Sequence, residues 1–128
     1  MPSEKSSNLI DSFRNAFAGL GHTLRTQRNA RIHLTITTIV VCSGLWLGLT
    51  PVEWCLVFLA IGMVWMAELS NTVLESVVDL LKPEFDPLAK TAKDVKAGVV
   101  VVASLTAVLI GLLVMGPRLL LRIQDLFF

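Results

Sequence analysis

The segment Glu68-Leu-Ser-Asn-Thr-Val-Leu-Glu-Ser-Val-Val-Asp79 continues an apolar run, residues 56–67, that is too hydrophobic for the surface of a water-soluble protein. Four polar residues recur in it at intervals of three, four and four positions: Glu68, Asn71, Glu75 and Asp79. On an α-helix this spacing brings all four side chains into one narrow stripe. Three carboxylates are costly on a helix at or just inside a membrane, so the stripe indicates a functional site.

The composition of the whole chain is that of a membrane protein. Hydrophobic residues make up 54% of the 128 positions and charged residues only 16%, whereas soluble proteins are about 25% charged. The mean hydropathy is +0.70. The length fits one domain, and a net charge of +1 gives no support for a nucleic-acid partner. We therefore predict a single integral membrane domain.

Hydrophobic periodicity predicts an all-α fold with an N-terminal amphipathic surface helix and three transmembrane helices. Residues 1–8 are polar and expected to be flexible. Apolar residues then recur at helical spacing through residues 9–29, which predicts an amphipathic helix in the headgroup region. Three apolar segments follow, and they predict the helices that contain the spans: 32–49, 52–81 and 91–116.

Proline, glycine and capping residues mark the ends of these helices. Gly116-Pro117 is predicted to break the third span. Asp86 is expected to cap a helix that starts at Pro87, and Thr91-x-x-Asp94 matches a second capping box. A helix over residues 52–81 would be about 45 Å long at 1.5 Å per residue. The polar stripe therefore lies near the boundary of the hydrocarbon and extends beyond it.

The distribution of basic residues predicts the orientation of the chain. Five lie before Ile32, four lysines lie between Lys82 and Lys96, and none lies in the connection around Thr50. The excess of basic residues on the cytoplasmic side of membrane proteins places the N-terminus and the second connection in the cytoplasm. The polar stripe is then at the cytoplasmic boundary.

A stripe at this boundary has access to nucleotides and to lipid headgroups. Its oxygen ligands suit Mg²⁺, which takes one or two carboxylates together with substrate phosphates. A deeper carboxylate could accept a proton from a lipid hydroxyl, and Lys93 could offset the charge of a phosphate. These groups favour phosphoryl transfer, which needs little beyond positioning and charge stabilisation. The alternative is an acidic helix end that is merely solvated or that pairs with Lys90, Lys93 and Lys96.

The residues around the stripe resemble the signature of the prokaryotic diacylglycerol kinase family, which includes the undecaprenol kinases. The pattern is Glu68-x-x-Asn71-Thr72-x-x-Glu75-x-x-x-Asp79, followed by Pro83-Glu-Phe-Asp-Pro-Leu-Ala-Lys90 and Ala92-Lys-Asp94 at the expected separation. Asn29-Ala-Arg-Ile-His33 resembles the entry to the family's first span, and Ala16-Phe-Ala-Gly-Leu20 resembles its surface helix. The similarity extends over roughly residues 13 to 115.

The resemblance implies a small lipid kinase of the bacterial inner (cytoplasmic) membrane, built as a homotrimer with active sites between neighbouring subunits. The implied reaction uses ATP and Mg²⁺ to phosphorylate the hydroxyl of diacylglycerol or of undecaprenol. Glu68 resembles the family's catalytic base, and Glu75 resembles its metal-binding glutamate, with Asn71 alongside. The positions that correspond to nucleotide contacts are Glu84, Phe85, Asp86, Lys93 and Asp94.

Two positions depart from the family pattern. The family usually places a second metal-binding glutamate just before its first span, and the aligned residue here is Gln27. An amide oxygen can ligate Mg²⁺ but brings no charge, so we expect a lower metal affinity at Gln27 and Glu75. Asp86 stands where a histidine is common, which adds negative charge near the nucleotide. Gln27 leaves a second hypothesis open, a non-catalytic membrane assembly or regulatory protein that keeps the kinase scaffold.

Overall fold

The computed structural model describes residues 8–128, and every regular element in that range is an α-helix. The helices are α1 (Leu9–Thr26), α2 (Arg28–Leu47), α3 (Pro51–Leu81) and α4 (Pro87–Phe127). The last three are long and apolar enough to cross a membrane, which confirms the predicted fold class. The segment predicted to be flexible, residues 1–8, lies outside the described residues except for Asn8.

The first two helices are separated by a break at Gln27, whose backbone is extended (φ −104°, ψ 119°). The predicted surface helix over 9–29 therefore ends at Thr26, and the first spanning helix begins at Arg28 rather than at residue 32. The Arg31 guanidinium donates a hydrogen bond of 3.2 Å to the carbonyl of Arg25, which satisfies one of the free carbonyls in the last turn of α1. Apolar side chains of α1 such as Phe13 and Phe17 are exposed, and the location of this helix in the headgroup region stays a prediction.

The connection between α2 and α3 is a tight turn with a complete capping box. Gly48 ends α2 with a left-handed backbone (φ 67°), which a residue without a side chain adopts at little cost. Thr50 accepts a hydrogen bond from the Glu53 amide, and the Glu53 carboxylate accepts one from the Thr50 amide. Pro51 occupies the first helical position, where its missing N–H is not needed. Neighbouring residues in the sequence thus supply the caps of this turn.

α4 is longer at both ends than the predicted segment 91–116. Asp86 caps it through hydrogen bonds from the amides of Leu88 and Ala89, so the helix starts at Pro87. The second predicted capping box is not used, because the Thr91 hydroxyl donates to the Pro87 carbonyl inside the helix.

The prediction that Gly116-Pro117 ends the third span is wrong, since α4 continues through Pro117 to Phe127. Contacts made by two arginines that follow the proline stabilise this part of the helix. Arg118 donates hydrogen bonds to Glu53 and to the Gly48 carbonyl, each at 3.0 Å, and the Arg122 guanidinium lies 5.4 Å from the centre of the Trp46 ring. These contacts offset the hydrogen bond that proline removes.

We expect the start of α4 to loosen in acid. Hydrogen bonds from the amides of Ala89 and Leu88 hold the pKa of Asp86 below its usual value. A carboxyl whose pKa is lower in the folded chain than in the unfolded chain stabilises the fold when the pH is above its ordinary pKa, about 3.9. That stabilisation is lost as the pH falls from there through the pKa of the folded chain. The protection of the Leu88 and Ala89 amides from hydrogen exchange, corrected for the intrinsic exchange rate at each pH, should therefore fall below about pH 4, relative to Asp86→Asn, which keeps a capping oxygen that does not titrate. Equal profiles for the two proteins would contradict this role of Asp86.

Small residues allow the helices to pack closely, so few large side chains are buried within one chain. Ala30 on α2, Ala60 and Ala67 on α3 and Ala103 on α4 are buried. Large apolar side chains of all four helices are exposed, as suits a protein surrounded by lipid rather than water. An almost wholly apolar cavity of about 230 Å³ lies between α2, α3 and α4.

Candidate active site

Glu68 is the most completely buried large side chain of the described residues, with 1% of its surface exposed. It lies on α3, where α2 covers it. Its Oε2 atom is 3.5 Å from His33 Nε2, close enough for an ion pair if the histidine is protonated. The two atoms do not meet the geometry of a hydrogen bond, and Oε2 has no hydrogen-bond partner within residues 8–128. A buried carboxylate oxygen without a partner is costly, which indicates a group kept for its chemistry.

His33 belongs to this site, although the sequence identified it only as part of the entry to the first span. Its ring packs edge-on against Trp65, with ring centres 6.5 Å apart. The Trp65 indole N–H in turn donates a hydrogen bond of 3.0 Å to the Thr37 hydroxyl. His33 and Thr37 are four residues apart and share one face of α2. That shared face is the signal from which sequence reasoning could have assigned His33 to the interior.

His33 also stands at one end of the apolar cavity between the spanning helices. The cavity wall is formed largely by aliphatic and small residues, among them Val40, Val57, Ala60, Val64, Ala107 and Gly111. His33 lines this cavity and also contacts Glu68, so the histidine ring lies between the cavity and the carboxylate. The buried carboxylate is therefore next to a space that matches hydrocarbon in polarity.

Lys96 is a second residue of the site, which the sequence indicated only as a partner for an acidic helix end. It lies on α4, is only 8% exposed, and faces the polar stripe of α3. Its ammonium group donates hydrogen bonds to Asn71 Oδ1 at 3.0 Å and to Glu75 Oε2 at 3.3 Å. The structure thus joins Asn71 and Glu75 as predicted, but through a lysine from the neighbouring helix.

The remaining charged residues form exposed ion pairs nearer the end of α3. Lys93 Nζ is 2.5 Å from Asp79 Oδ1, and Lys90 Nζ is 2.7 Å from Asp94 Oδ2. The alternative interpretation anticipated pairing of the stripe with Lys93 and Lys96, which the structure shows, and with Lys90, which pairs with Asp94 of its own helix instead. Exposed pairs of this kind contribute little to stability, so Lys93 and Asp94 can exchange these partners for a ligand at small cost.

The connection between α3 and α4 presents the other predicted nucleotide contacts. Glu84 is exposed, and Phe85 is 84% exposed. Within residues 8–128 neither side chain forms a hydrogen bond or an ion pair with the stripe. Asp86 is partly occupied by its capping role and also lies 3.5 Å from Lys82. The structure therefore joins Asn71, Glu75 and Asp79 of the stripe to two lysines of α4, Lys93 and Lys96. Glu84 and Phe85 lie outside that cluster.

The contacts between α2 and α3 show that the two helices run antiparallel. His33 is opposite Glu68, and Thr37 is opposite Trp65. Gln27 immediately precedes α2 and lies before His33, on the side of Glu68 towards Asn71 and Glu75. The pairing of Gln27 with Glu75 stays a prediction.

The donor set predicted from the sequence does not fit a resident divalent cation. Gln27 and Asn71 offer neutral amide oxygens, and the predicted carboxylate ligand, Glu75, is already paired with the Lys96 ammonium. Within residues 8–128 no three His, Cys, Asp or Glu side chains converge to hold a metal ion. Mg²⁺ depends on carboxylate charge for its affinity in protein sites.

Comparison with known proteins identifies the family of this chain. A model of the prokaryotic diacylglycerol kinase family matches residues 14–115. The chain is 41% identical over 113 residues to a Bacillus subtilis protein named undecaprenol kinase, covering 88% of this chain and 92% of that protein. It is also 41% identical over 114 residues to a Synechocystis protein named diacylglycerol kinase, covering 88% of this chain and 65% of that protein. The chain therefore belongs to the prokaryotic diacylglycerol kinase family, and it is a multi-pass bacterial membrane protein and a lipid kinase.

Proposed function

We propose that this lipid kinase transfers the γ-phosphoryl group of ATP to the hydroxyl of a membrane lipid, with Glu68 as the general base. The observation that carries the proposal is the buried Glu68 oxygen without a hydrogen-bond partner, next to an apolar cavity. The lipid hydroxyl oxygen would attack the γ-phosphorus while the bond from that phosphorus to the bridging oxygen breaks and ADP leaves. Glu68 takes the hydroxyl proton. Exclusion of water from this position protects the donor from hydrolysis.

The nucleotide is proposed to bind on the cytoplasmic side of Glu68. ATP arrives as its Mg²⁺ complex, and the stripe residues Asn71 and Glu75 lie one and two helical turns from the base. Lys93 is placed to offset phosphate charge once it leaves Asp79. The exposed residues of the connection, with Asp94, are proposed to contact the rest of the nucleotide: Glu84, Phe85 and Asp86.

We propose undecaprenol as the first lipid to test and diacylglycerol as the second. The relative named undecaprenol kinase is matched over 92% of its length, whereas the relative named diacylglycerol kinase is matched over 65%. The cavity beside His33 is apolar and therefore compatible with either hydrocarbon chain. Both lipids present a primary hydroxyl, which is the group that the reaction requires.

The protein is further proposed to act as a homotrimer in the inner membrane, with its N-terminus in the cytoplasm. The basic residues before α2 and around the α3–α4 connection support that orientation. The many exposed large apolar side chains of α3 and α4 leave ample surface for neighbouring subunits as well as lipid.

The test is phosphate transfer by the purified protein in lipid nanodiscs. Labelled ATP, Mg²⁺ and either undecaprenol or diacylglycerol are supplied in parallel, and the labelled lipid is quantified. Incorporation that requires one lipid identifies the substrate. Failure to label either lipid would contradict the proposal and favour the non-catalytic assembly or regulatory protein that keeps the scaffold.

A further inference from the structure

A buried lysine is hydrogen-bonded to the two central residues of the polar stripe. The Lys96 ammonium lies within hydrogen-bond distance of Asn71 Oδ1 and Glu75 Oε2, at 3.0 and 3.3 Å, and its residue is 8% exposed. A lysine this buried is rare unless it is paired. Both oxygens it contacts belong to residues that were expected to bind metal or nucleotide. The ammonium therefore occupies the space in which a cation bound to this pair would sit.

The charges of this group are already balanced. Glu75 contributes one negative charge and Lys96 one positive charge, and the amide of Asn71 contributes none. The family usually has a second glutamate where this chain has Gln27, and glutamine adds no charge to the predicted donor set. Within the group formed by Asn71, Glu75 and Lys96, no charge is left to attract a further cation.

We propose that the Lys96 ammonium is a built-in cation of this site and takes the place that a protein-bound divalent ion would otherwise occupy between Asn71 and Glu75. The chain then binds no metal there before the nucleotide arrives, and the Mg²⁺ that accompanies ATP is the metal it uses. The statement about the Mg²⁺ of ATP rests on the proposed function. The statement that the protein binds no metal at Asn71 and Glu75 before the nucleotide arrives does not depend on catalysis.

The experiment measures Mn²⁺ binding to the detergent-solubilised protein by electron paramagnetic resonance, without nucleotide and without anionic lipid. The wild-type protein and Glu75→Gln are expected to bind Mn²⁺ with the same affinity, so that no Mn²⁺ binding by the wild type depends on Glu75. Lys96→Met keeps the length of the side chain and removes its charge. It should bind Mn²⁺ at least about tenfold more tightly than wild type, because a unit charge a few ångströms from a divalent ion is removed. The gain should disappear in Lys96→Met/Glu75→Gln.

Lys90→Met is the matched control, since it removes one positive charge from the same helix without touching Glu75. It should leave Mn²⁺ binding unchanged. Wild-type protein that binds Mn²⁺ through Glu75 would overturn the proposal, whether or not Lys96→Met folds. A folded Lys96→Met variant that binds Mn²⁺ no better than wild type would also overturn it. Neither result depends on phosphate transfer to lipid, so failure here is distinct from failure of the proposed kinase reaction.

Discussion

Replacing Glu68 with glutamine is expected to slow phosphate transfer to lipid by about 10²- to 10⁴-fold, the range that a positioned general base contributes. Glutamine keeps the size of the side chain but cannot accept the hydroxyl proton. The fold should tolerate the change, because Oε2 of Glu68 has no hydrogen bond to lose within the described residues. Initial rates with labelled ATP, at saturating lipid and nucleotide, give the measurement.

Two further variants separate loss of the base from a general disturbance of the protein. Glu68→Asp keeps a carboxylate but withdraws it by one methylene, so it should retain more activity than Glu68→Gln. Asp125→Asn makes the same carboxylate-to-amide change in the exposed last turns of α4, and its rate should equal that of wild type. A Glu68→Gln protein that works within a few-fold of wild type would remove Glu68 from the mechanism.

Gly44→Ala is expected to destabilise the protein by about 1–2 kcal/mol. A Cβ at position 44 would lie 2.7 Å from Cη2 of Trp54 and 3.1 Å from a methyl group of Leu49. Trp54 cannot easily move aside, because its ring stacks on Phe58 with centres 5.2 Å apart. Overpacking costs about 1–3 kcal/mol and exceeds the gain of up to about 1 kcal/mol that alanine brings to a helix. Unfolding in mixed detergent micelles at increasing denaturant measures the difference.

Gly19→Ala is the control for this substitution. Nothing within residues 8–128 lies within 4 Å of a Cβ built at Gly19, so only the gain in helix propensity remains. That variant should be as stable as wild type or slightly more stable. If both variants were stabilised alike, the close packing of α2 against the start of α3 would not be a source of stability.

Periodic and local features of the sequence predicted most of the fold. The apolar segments gave three spanning helices, and the predicted start of α3 at residue 52 is one residue from the observed start at Pro51. The errors arose where a distant residue decides the outcome. Pro117 was expected to end a helix, but Arg118 is held by Glu53 and by the Gly48 carbonyl, contacts that join residues about 65 positions apart in the chain.

The candidate site was predictable along one helix and not between helices. The spacing of the stripe placed Glu68, Asn71 and Glu75 on one face of α3. The partners of those residues depend on how α2 and α4 are aligned against α3, which periodicity does not specify. His33 and Lys96 were therefore missed as site residues, although each belongs to a helix that was predicted.

The burial of Glu68 also bears on the direction of turnover. A phosphorylated lipid carries a charge of about −1.5 to −2 at neutral pH, whereas the alcohol it came from is neutral. In the proposed mechanism Glu68 gives up its proton after the transfer, and its carboxylate would then repel the phosphate most strongly because water is excluded there. The product would be displaced towards the headgroup layer, while the next uncharged alcohol would meet no such repulsion. On that mechanism a single carboxylate, 1% exposed, would disfavour the return of phosphorylated lipid to the site.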